Sequence, residues 1–130
     1  MKLLLDTHAF LWFIMGSANL SDKARTLIED PVNEKLLSIA SLWEIAIKNS
    51  LGKLTLASSF DELIPEQLRM NGIGLLNIRV DHLSVLTTLP FHHRDPFDRL
   101  IIAQARTMGL PLITGDEKIH DSGLVRVVWD

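Results

Sequence analysis

Short, continuous aliphatic runs alternate with longer segments of mixed polarity along the chain. Such runs are typical of strands that are buried on both faces. The pattern predicts five strands, at residues 2–5, 36–39, 75–78, 111–114 and 125–129. The intervening segments predict six helices, at residues 7–15, 21–29, 41–51, 59–70, 80–86 and 96–108.

Capping signals set several of the predicted helix ends. Ser59 and Glu62 have the spacing of a capping box. Asp95 and Pro96 fit the N-cap and the first helical position of the last helix. Pro65 lies inside the segment 59–70 and predicts a kink there.

Alternating strands and helices predict a three-layer α/β/α fold around a central parallel sheet of about five strands. A length of 130 residues suits one domain that spans residues 1–130. Open parallel sheets place their ligands beyond the carboxyl ends of the strands. We therefore expect the functional residues at those ends.

Composition excludes several classes of function. The formal net charge is -3, so the chain has no global basic field to hold nucleic acid. There is no cysteine, which excludes disulfides, zinc–thiolate sites and thiol nucleophiles. The N-terminus is unlike a signal peptide, and no apolar run approaches the ~20 residues of a membrane span. We expect a cytoplasmic protein with no membrane partner.

Acidic residues stand at several of the predicted strand ends. Asp6 and Asp116 follow the first and fourth strands, and Glu44 lies at the start of the helix after the second. Asp98 opens the helix that precedes the fourth strand. The doubly wound layout allows all four side chains to share one cleft.

Each acid also has a purely structural interpretation. Asp6 and Asp116 can cap helices or turns, Glu44 completes a capping box with Ser41, and Asp98 can interact with its helix dipole. Capping does not predict four gathered acids without matched cations, because crowded carboxylates repel one another. Mg²⁺ or Mn²⁺ would neutralise them, since both ions prefer hard oxygen ligands. Such a site suits metal-assisted hydrolysis of phosphodiester bonds.

Four segments together resemble a known family. They read LLLDTHAFLW, SIASLWEIAIK, DPFDRLIIAQA and LPLITGDEKI, in that order. The chain resembles the PIN domain, and within it the toxins of the VapC type from bacterial toxin–antitoxin pairs. The resemblance implies a Mg²⁺- or Mn²⁺-dependent ribonuclease whose acidic quartet falls on Asp6, Glu44, Asp98 and Asp116. It also implies a hydroxyl at Thr114, a homodimer, and inhibition by a small cognate antitoxin protein.

Other residues are candidates for supporting roles. Asp95 is an N-cap that can also assist the metal through water. Thr7, Ser41 and Thr114 can orient water or carboxylates by hydrogen bonds.

Three basic residues are candidates for contacts with substrate phosphate, namely Arg94, Arg99 and Lys48. A solvated surface role is the alternative for each. Trp43 is expected in the core.

Two further functions remain open. One is a catalytically idle PIN-like module that binds another protein, and the other is a DNA-directed nuclease with the same acidic site. A metallophosphoesterase is disfavoured, because only its opening Asp-x-His pattern is present, at Asp6 and His8.

Overall fold

A computed structural model describes residues 1–90 and 95–130. Its sheet has five strands in the order β3-β2-β1-β4-β5, and every neighbouring pair is parallel. The strands are β1 (Lys2–Leu5), β2 (Glu34–Ser38), β3 (Ile73–Leu76), β4 (Leu112–Ile113) and β5 (Val127–Val128). The helices of the described residues are α1 (Thr7–Met15), α2 (Asp22–Glu29), α3 (Ile39–Ser50), α4 (Phe60–Met70), α5 (Val80–Leu86), α6 (Pro96–Met108) and α7 (Glu117–Ser122).

The central strand β1 shows why these runs form strands. Leu3, Leu4 and Leu5 are all fully buried. Successive side chains of a strand point to opposite faces, so a strand covered on both faces is apolar throughout. Leu3 and Leu5 belong to one core cluster, and Leu4 belongs to the other.

The two clusters lie on opposite faces of the sheet. The first contains Phe10 of α1, Ile28 of α2 and Ile64 of α4. The second contains Ile101 of α6 and Ile119 of α7. The predicted three-layer α/β/α architecture with its parallel sheet of five strands is therefore confirmed.

The start of α3 differs from the prediction. Ser38 is the N-cap, and its hydroxyl accepts a hydrogen bond from the Ala40 backbone N–H at 3.0 Å. The helix therefore begins at Ile39, two residues before the predicted start. Glu44 falls in the second turn, so the predicted capping box with Ser41 is wrong. The structural interpretation of Glu44 as a capping residue is thereby removed.

Other predicted boundaries also change. The predicted capping box of Ser59 and Glu62 is wrong, because Ser59 caps α4 without a side-chain hydrogen bond. Helix α4 continues through Pro65, which is exposed. Helix α7 was not predicted. The part of the chain that the structure describes contains no helix long and apolar enough to cross a membrane.

Candidate active site

Asp6 joins the ends of the two central strands. Its backbone N–H donates to the Ile113 carbonyl at 3.0 Å, which ties the end of β1 to the end of β4. Its Oδ1 accepts from the Ala9 N–H at 2.7 Å and so caps α1. The residue is only 5% exposed. Asp6 therefore sits in the carboxyl edge of the sheet and not on an open surface.

Thr114 links Asp6 to Asp116. Thr114 follows β4 and is fully buried. Its hydroxyl accepts a hydrogen bond from the Asp116 N–H at 3.1 Å, and it also hydrogen bonds to the Asp6 carboxylate. The Asp116 Oδ1 in turn accepts from the Lys118 N–H at 2.8 Å and caps α7. A hydroxyl group thus holds the acids that follow the two central strands.

Burial raises the pKa of Asp6 above its ordinary value of 3.8. Repulsion from Asp116 adds to this effect, whereas hydrogen bonds from Thr114 and Ala9 and the charge of His8 lower the pKa. The effect of Asp116 shows that the two carboxyl groups are close enough to repel each other.

The pKa of Asp98 is affected by the charges of all the other acids in the group. It occupies the first turn of α6, whose N-cap Asp95 accepts from the Phe97 and Asp98 N–H groups at 2.8 and 3.2 Å. Burial raises the pKa of Asp98 to about 7, followed in size by the charges of Asp95, Glu44, Asp6 and Asp116. The charges of the other three predicted acids and of Asp95 therefore all act on Asp98, whereas a shared metal site stays a prediction.

Glu44 is the most deeply buried acid of the group, with only 2% of its surface exposed. Its Oε2 accepts from the Lys48 ammonium at 2.7 Å. Its Oε1 is buried and has no hydrogen-bond partner among the described residues. Burying a carboxylate oxygen without a hydrogen-bond donor costs folding free energy. The Glu44 Oε1 is therefore suited to bind a cation or a water molecule.

Lys48 is engaged differently from the prediction. The hydrogen bond to Glu44 raises the pKa of Lys48, and the charges of Asp95 and Asp98 act in the same direction. Lys48 therefore faces the acids as a counter-charge, although its side chain stays 41% exposed. Its predicted contact with substrate phosphate stays a prediction.

Thr7 and Ser41 contact each other. The Thr7 hydroxyl donates to the Ser41 hydroxyl at 3.0 Å, and both residues are buried. The bond joins the first turn of α1 to the first turn of α3, which are the helices that carry or adjoin Asp6 and Glu44. The structure thus gives these hydroxyls a place between two acid-bearing elements.

Arg99 contacts the backbone at and just after the end of α5. Its side chain is buried and donates to the backbone carbonyls of Pro90, Leu86 and Leu89 at 3.0, 3.3 and 3.3 Å. Arg99 therefore has a structural role at the end of α5, and its predicted contact with substrate phosphate stays a prediction. The predicted contact of Arg94 lies outside the described residues.

Trp43 is exposed, contrary to the expectation that it lies in the core. Its indole is 58% exposed and meets the Phe97 ring edge-on, with ring centroids 5.2 Å apart. Each of these aromatic residues directly precedes an acid, Glu44 or Asp98. The pair joins α3 to α6 beside the acids.

The donor set suits a hard divalent cation, although it does not form a complete cage. Across residues 1–90 and 95–130, no group of three acidic or histidine side chains is close enough to surround one ion. Mg²⁺ usually keeps several water ligands and is held by one or two carboxylates. The buried Glu44 Oε1 and the raised pKa of Asp98 are the features that fit such an ion.

The chain thus combines an open parallel α/β sheet with buried acids at the carboxyl edge of that sheet. Residues 3–123 match the PIN domain, and the chain belongs to this family. Ribonuclease VapC16 of Mycobacterium tuberculosis is 38% identical over 66 residues. That match spans 51% of this chain and 45% of the relative, so about half of the relative's length is covered.

Solved structures share the fold over the whole chain. VapBC2 from Rickettsia felis, bound to a DNA fragment from its promoter, superposes with a TM-score of 0.69 at 17% identity and covers 100% of both chains. VapBC-1 from nontypeable Haemophilus influenzae gives a TM-score of 0.63 at 15% identity, covering 98% of this chain and 97% of that chain. FitAcB from Neisseria gonorrhoeae gives 0.65 at 17% identity, covering 96% and 95%. The family resemblance predicted from the sequence is confirmed.

Proposed function

We propose that the protein is an endoribonuclease that depends on Mg²⁺ or Mn²⁺ and acts as the toxin of a toxin–antitoxin pair in the cytoplasm. The observation that carries the proposal is the group of acids near the carboxyl edge of the sheet, where the buried Glu44 Oε1 has no hydrogen-bond partner among the described residues and the charges of four other acids act on Asp98. Such crowding is unfavourable without a cation and useful with one. The name of the relative, ribonuclease VapC16, supports RNA as the substrate.

The acids would share the work of holding the ion. Asp6, Asp98 and Asp116 would bind it directly or through water, and Glu44 would either bind it or polarise the attacking water. The bound ion supplies a water of lowered pKa and stabilises charge on the phosphoryl oxygens. Lys48 donates to the Glu44 carboxylate at 2.7 Å and so adds a positive charge beside the acids.

Thr114 fixes the orientation of two acids before any ligand arrives. It bonds to the Asp6 carboxylate and to the Asp116 backbone, which links the residues that follow β1 and β4. Asp95 assists Asp98 by capping α6 and contributes further negative charge. The chain thereby preorganises the site, which limits the cost of ordering ligands when the ion binds.

The partners we propose are RNA, a small cognate antitoxin protein and a second copy of the chain. The antitoxin is supported by a further structural neighbour, a toxin–antitoxin complex from Klebsiella pneumoniae. The homodimer is supported by the exposed indole of Trp43, a residue type that is enriched at protein interfaces.

RNA cleavage by purified protein tests the proposal. We expect Mg²⁺ or Mn²⁺ to support cutting of single-stranded RNA and EDTA to abolish it. Asp6→Asn and Asp98→Asn should each reduce the initial rate by about 100-fold or more, the scale of losing one electrostatic contact in a transition state. Circular dichroism should show that both variants stay folded.

Asp22→Asn is a matched control, because Asp22 is exposed and also lies in the first turn of a helix, α2. It should cut RNA at the unchanged rate. Cutting that survives EDTA, or that survives in both active-site variants, would contradict the metal-dependent mechanism. Cutting of DNA in preference to RNA would favour the DNA-directed nuclease, and binding of a partner protein without any cutting would favour the idle module.

A further inference from the structure

A pocket of about 240 Å³ opens between α1, α3 and the segment that follows α3. Leu11, Trp12 and Ile45 form apolar walls, and Met15 stands at the rim with more than half of its surface exposed. This volume lies below the range of about 300–1,000 Å³ that is typical of sites for drug-sized ligands. The pocket is therefore of a size for one planar ring system.

The same pocket carries positive charge. Lys48 and Lys53 both line it. Lys48 is engaged with Glu44, whereas Lys53 is exposed and makes no ion pair with any residue that the structure describes. An apolar wall with a free ammonium group at its edge is complementary to a base and its phosphate, since bases stack on aromatic rings and phosphates attract lysine.

Trp12 is held in place by two neighbouring rings. Its ring contacts the His8 imidazole with centroids 5.5 Å apart and the Trp129 indole with centroids 6.0 Å apart. It is half-buried and packs against the core, so its position is fixed before a ligand arrives. A fixed aromatic ring binds a partner at a low entropic cost.

The pocket is continuous with the acidic site. His8 and Trp12 also line a neighbouring cleft together with Asp6 and Asp116. Thr7, which directly follows Asp6, and Lys48, which contacts Glu44, line the pocket itself. The pocket and the cleft at Asp6 and Asp116 therefore share part of their lining.

We propose that the pocket between Trp12 and Lys53 binds one unpaired base of the RNA substrate, next to the phosphate at the acidic site. The inference rests on the proposed function and extends it, because it names single-stranded RNA with an accessible base as the substrate. Lys53 contacts the backbone phosphate of that nucleotide. A base-paired nucleotide does not enter, because its base is stacked within a duplex.

Binding can be measured without cleavage in the Asp98→Asn background with Mg²⁺ present. The probe is a fluorescein-labelled single-stranded RNA of twelve nucleotides, and the signal is fluorescence anisotropy. The base is removed from one position of the RNA at a time. Removal at one particular position should weaken binding about 5- to 100-fold, in keeping with the loss of one stacked base. The same sequence in a duplex should bind worse than the single strand.

Protein variants test the pocket directly. Lys53→Glu should weaken binding about 10-fold and reduce the dependence of the affinity on salt concentration. Lys23→Glu is the matched control, because Lys23 is an exposed lysine on α2 and the charge change is identical. Trp12→Leu should weaken binding, whereas Trp12→Phe should retain most of it. Thermal melting shows whether either Trp12 variant has lost its fold, and the scan of base removal needs neither variant.

The outcomes separate this inference from the nuclease proposal. The proposed role of the pocket in binding a base would be refuted if base removal left binding unchanged at every position. It would also be refuted if Lys53→Glu and Lys23→Glu lost equal affinity for RNA. A protein partner would then be the alternative occupant of the pocket. If the original protein still cuts RNA in that case, the nuclease proposal stands alone. If binding depends on the pocket but the original protein cuts nothing, the pocket stands and the nuclease proposal fails.

Discussion

Replacing Asp98 by asparagine should stabilise the metal-free protein at alkaline pH. The substitution removes a negative charge that is largely buried and that is also repelled by Asp95, Glu44, Asp6 and Asp116. Asparagine has nearly the same shape and stays neutral at every pH. A residue that is selected for stability would show the opposite result, since most substitutions at buried positions destabilise.

The magnitude follows from the pKa of Asp98, which rises from 3.8 to about 7. At about 1.4 kcal/mol per pKa unit, the full effect on the free energy of unfolding is roughly 4 kcal/mol. Part of the side chain faces solvent, which screens the repulsion, and the helix dipole loses a favourable charge of about 0.3–1 kcal/mol. We therefore expect a net gain of about 1–3 kcal/mol at pH 8.

The direction of the Asp98 pKa shift determines how the stability gain of Asp98→Asn varies with pH. Between pH 3.8 and about 7 the folded state binds the Asp98 proton and the unfolded state has released it. The contribution of Asp98 to stability therefore falls as the pH rises through this window and is lowest above it. The advantage of Asp98→Asn should shrink at pH 4.5 to about a quarter of its value at pH 8.

Urea unfolding in EDTA at the two pH values measures the effect. Asp22→Asn is again the control, because it removes a first-turn charge without relieving any crowding. It should lower stability slightly at pH 8. Saturating Mg²⁺ should reverse the order of the original protein and Asp98→Asn, since an ion at 100 times its Kd adds about 2.7 kcal/mol to the form that binds it. An unchanged or lower stability of Asp98→Asn at pH 8 in EDTA would refute the crowding.

Three other substitutions test the structure. Arg99→Met should lower the free energy of unfolding by about 2–5 kcal/mol in urea titrations, because it strips donors from buried backbone carbonyls. Gly115→Ala should cost about 1–3 kcal/mol in the same assay, because its Cβ would meet the Trp129 ring at 2.8 Å. If the proposed homodimer forms through the face that carries Trp43, Trp43→Glu should give a monomeric mass in light scattering, and a variant that stays dimeric would exclude this face.

The sequence predicts the layers of the fold better than the edges of its elements. Helix α1 and helix α6 begin and end as predicted, because Asp6, Asp95 and Gly109 supply their caps. Helix α7 was missed because it has six residues and too short a pattern to show periodicity. Strands β4 and β5 are only two residues long, since the sheet narrows towards that edge.

Helix α3 shows why the site itself is harder to predict. Its buried face includes Ser41 and Glu44, whereas Trp43 stands in solvent. Hydrophobicity predicts the reverse arrangement, so a ranking by polarity places the wrong face inward. Local rules fail most often at functional sites, where a polar group is kept in a buried position at a cost.

Arg99 shows a similar limit. It directly follows Asp98 in the sequence, and adjacency alone suggests that both face the same ligand. Neighbouring residues of a helix point in directions about 100° apart. One therefore lies among the acids, and the other reaches the carbonyls at the end of α5.

Capping and metal binding are compatible interpretations of these acids. Asp6, Asp95 and Asp116 each use Oδ1 to cap a helix, at α1, α6 and α7. The positive ends of three helix dipoles therefore lie beside the acids and reduce the cost of gathering them. The pKa of Asp98 nevertheless rises to about 7, chiefly because the side chain is buried and then because of the neighbouring carboxylates. Helix capping thus accounts for part of the gathering of acids, and in the proposed nuclease a bound divalent cation would add positive charge for contact with RNA phosphate.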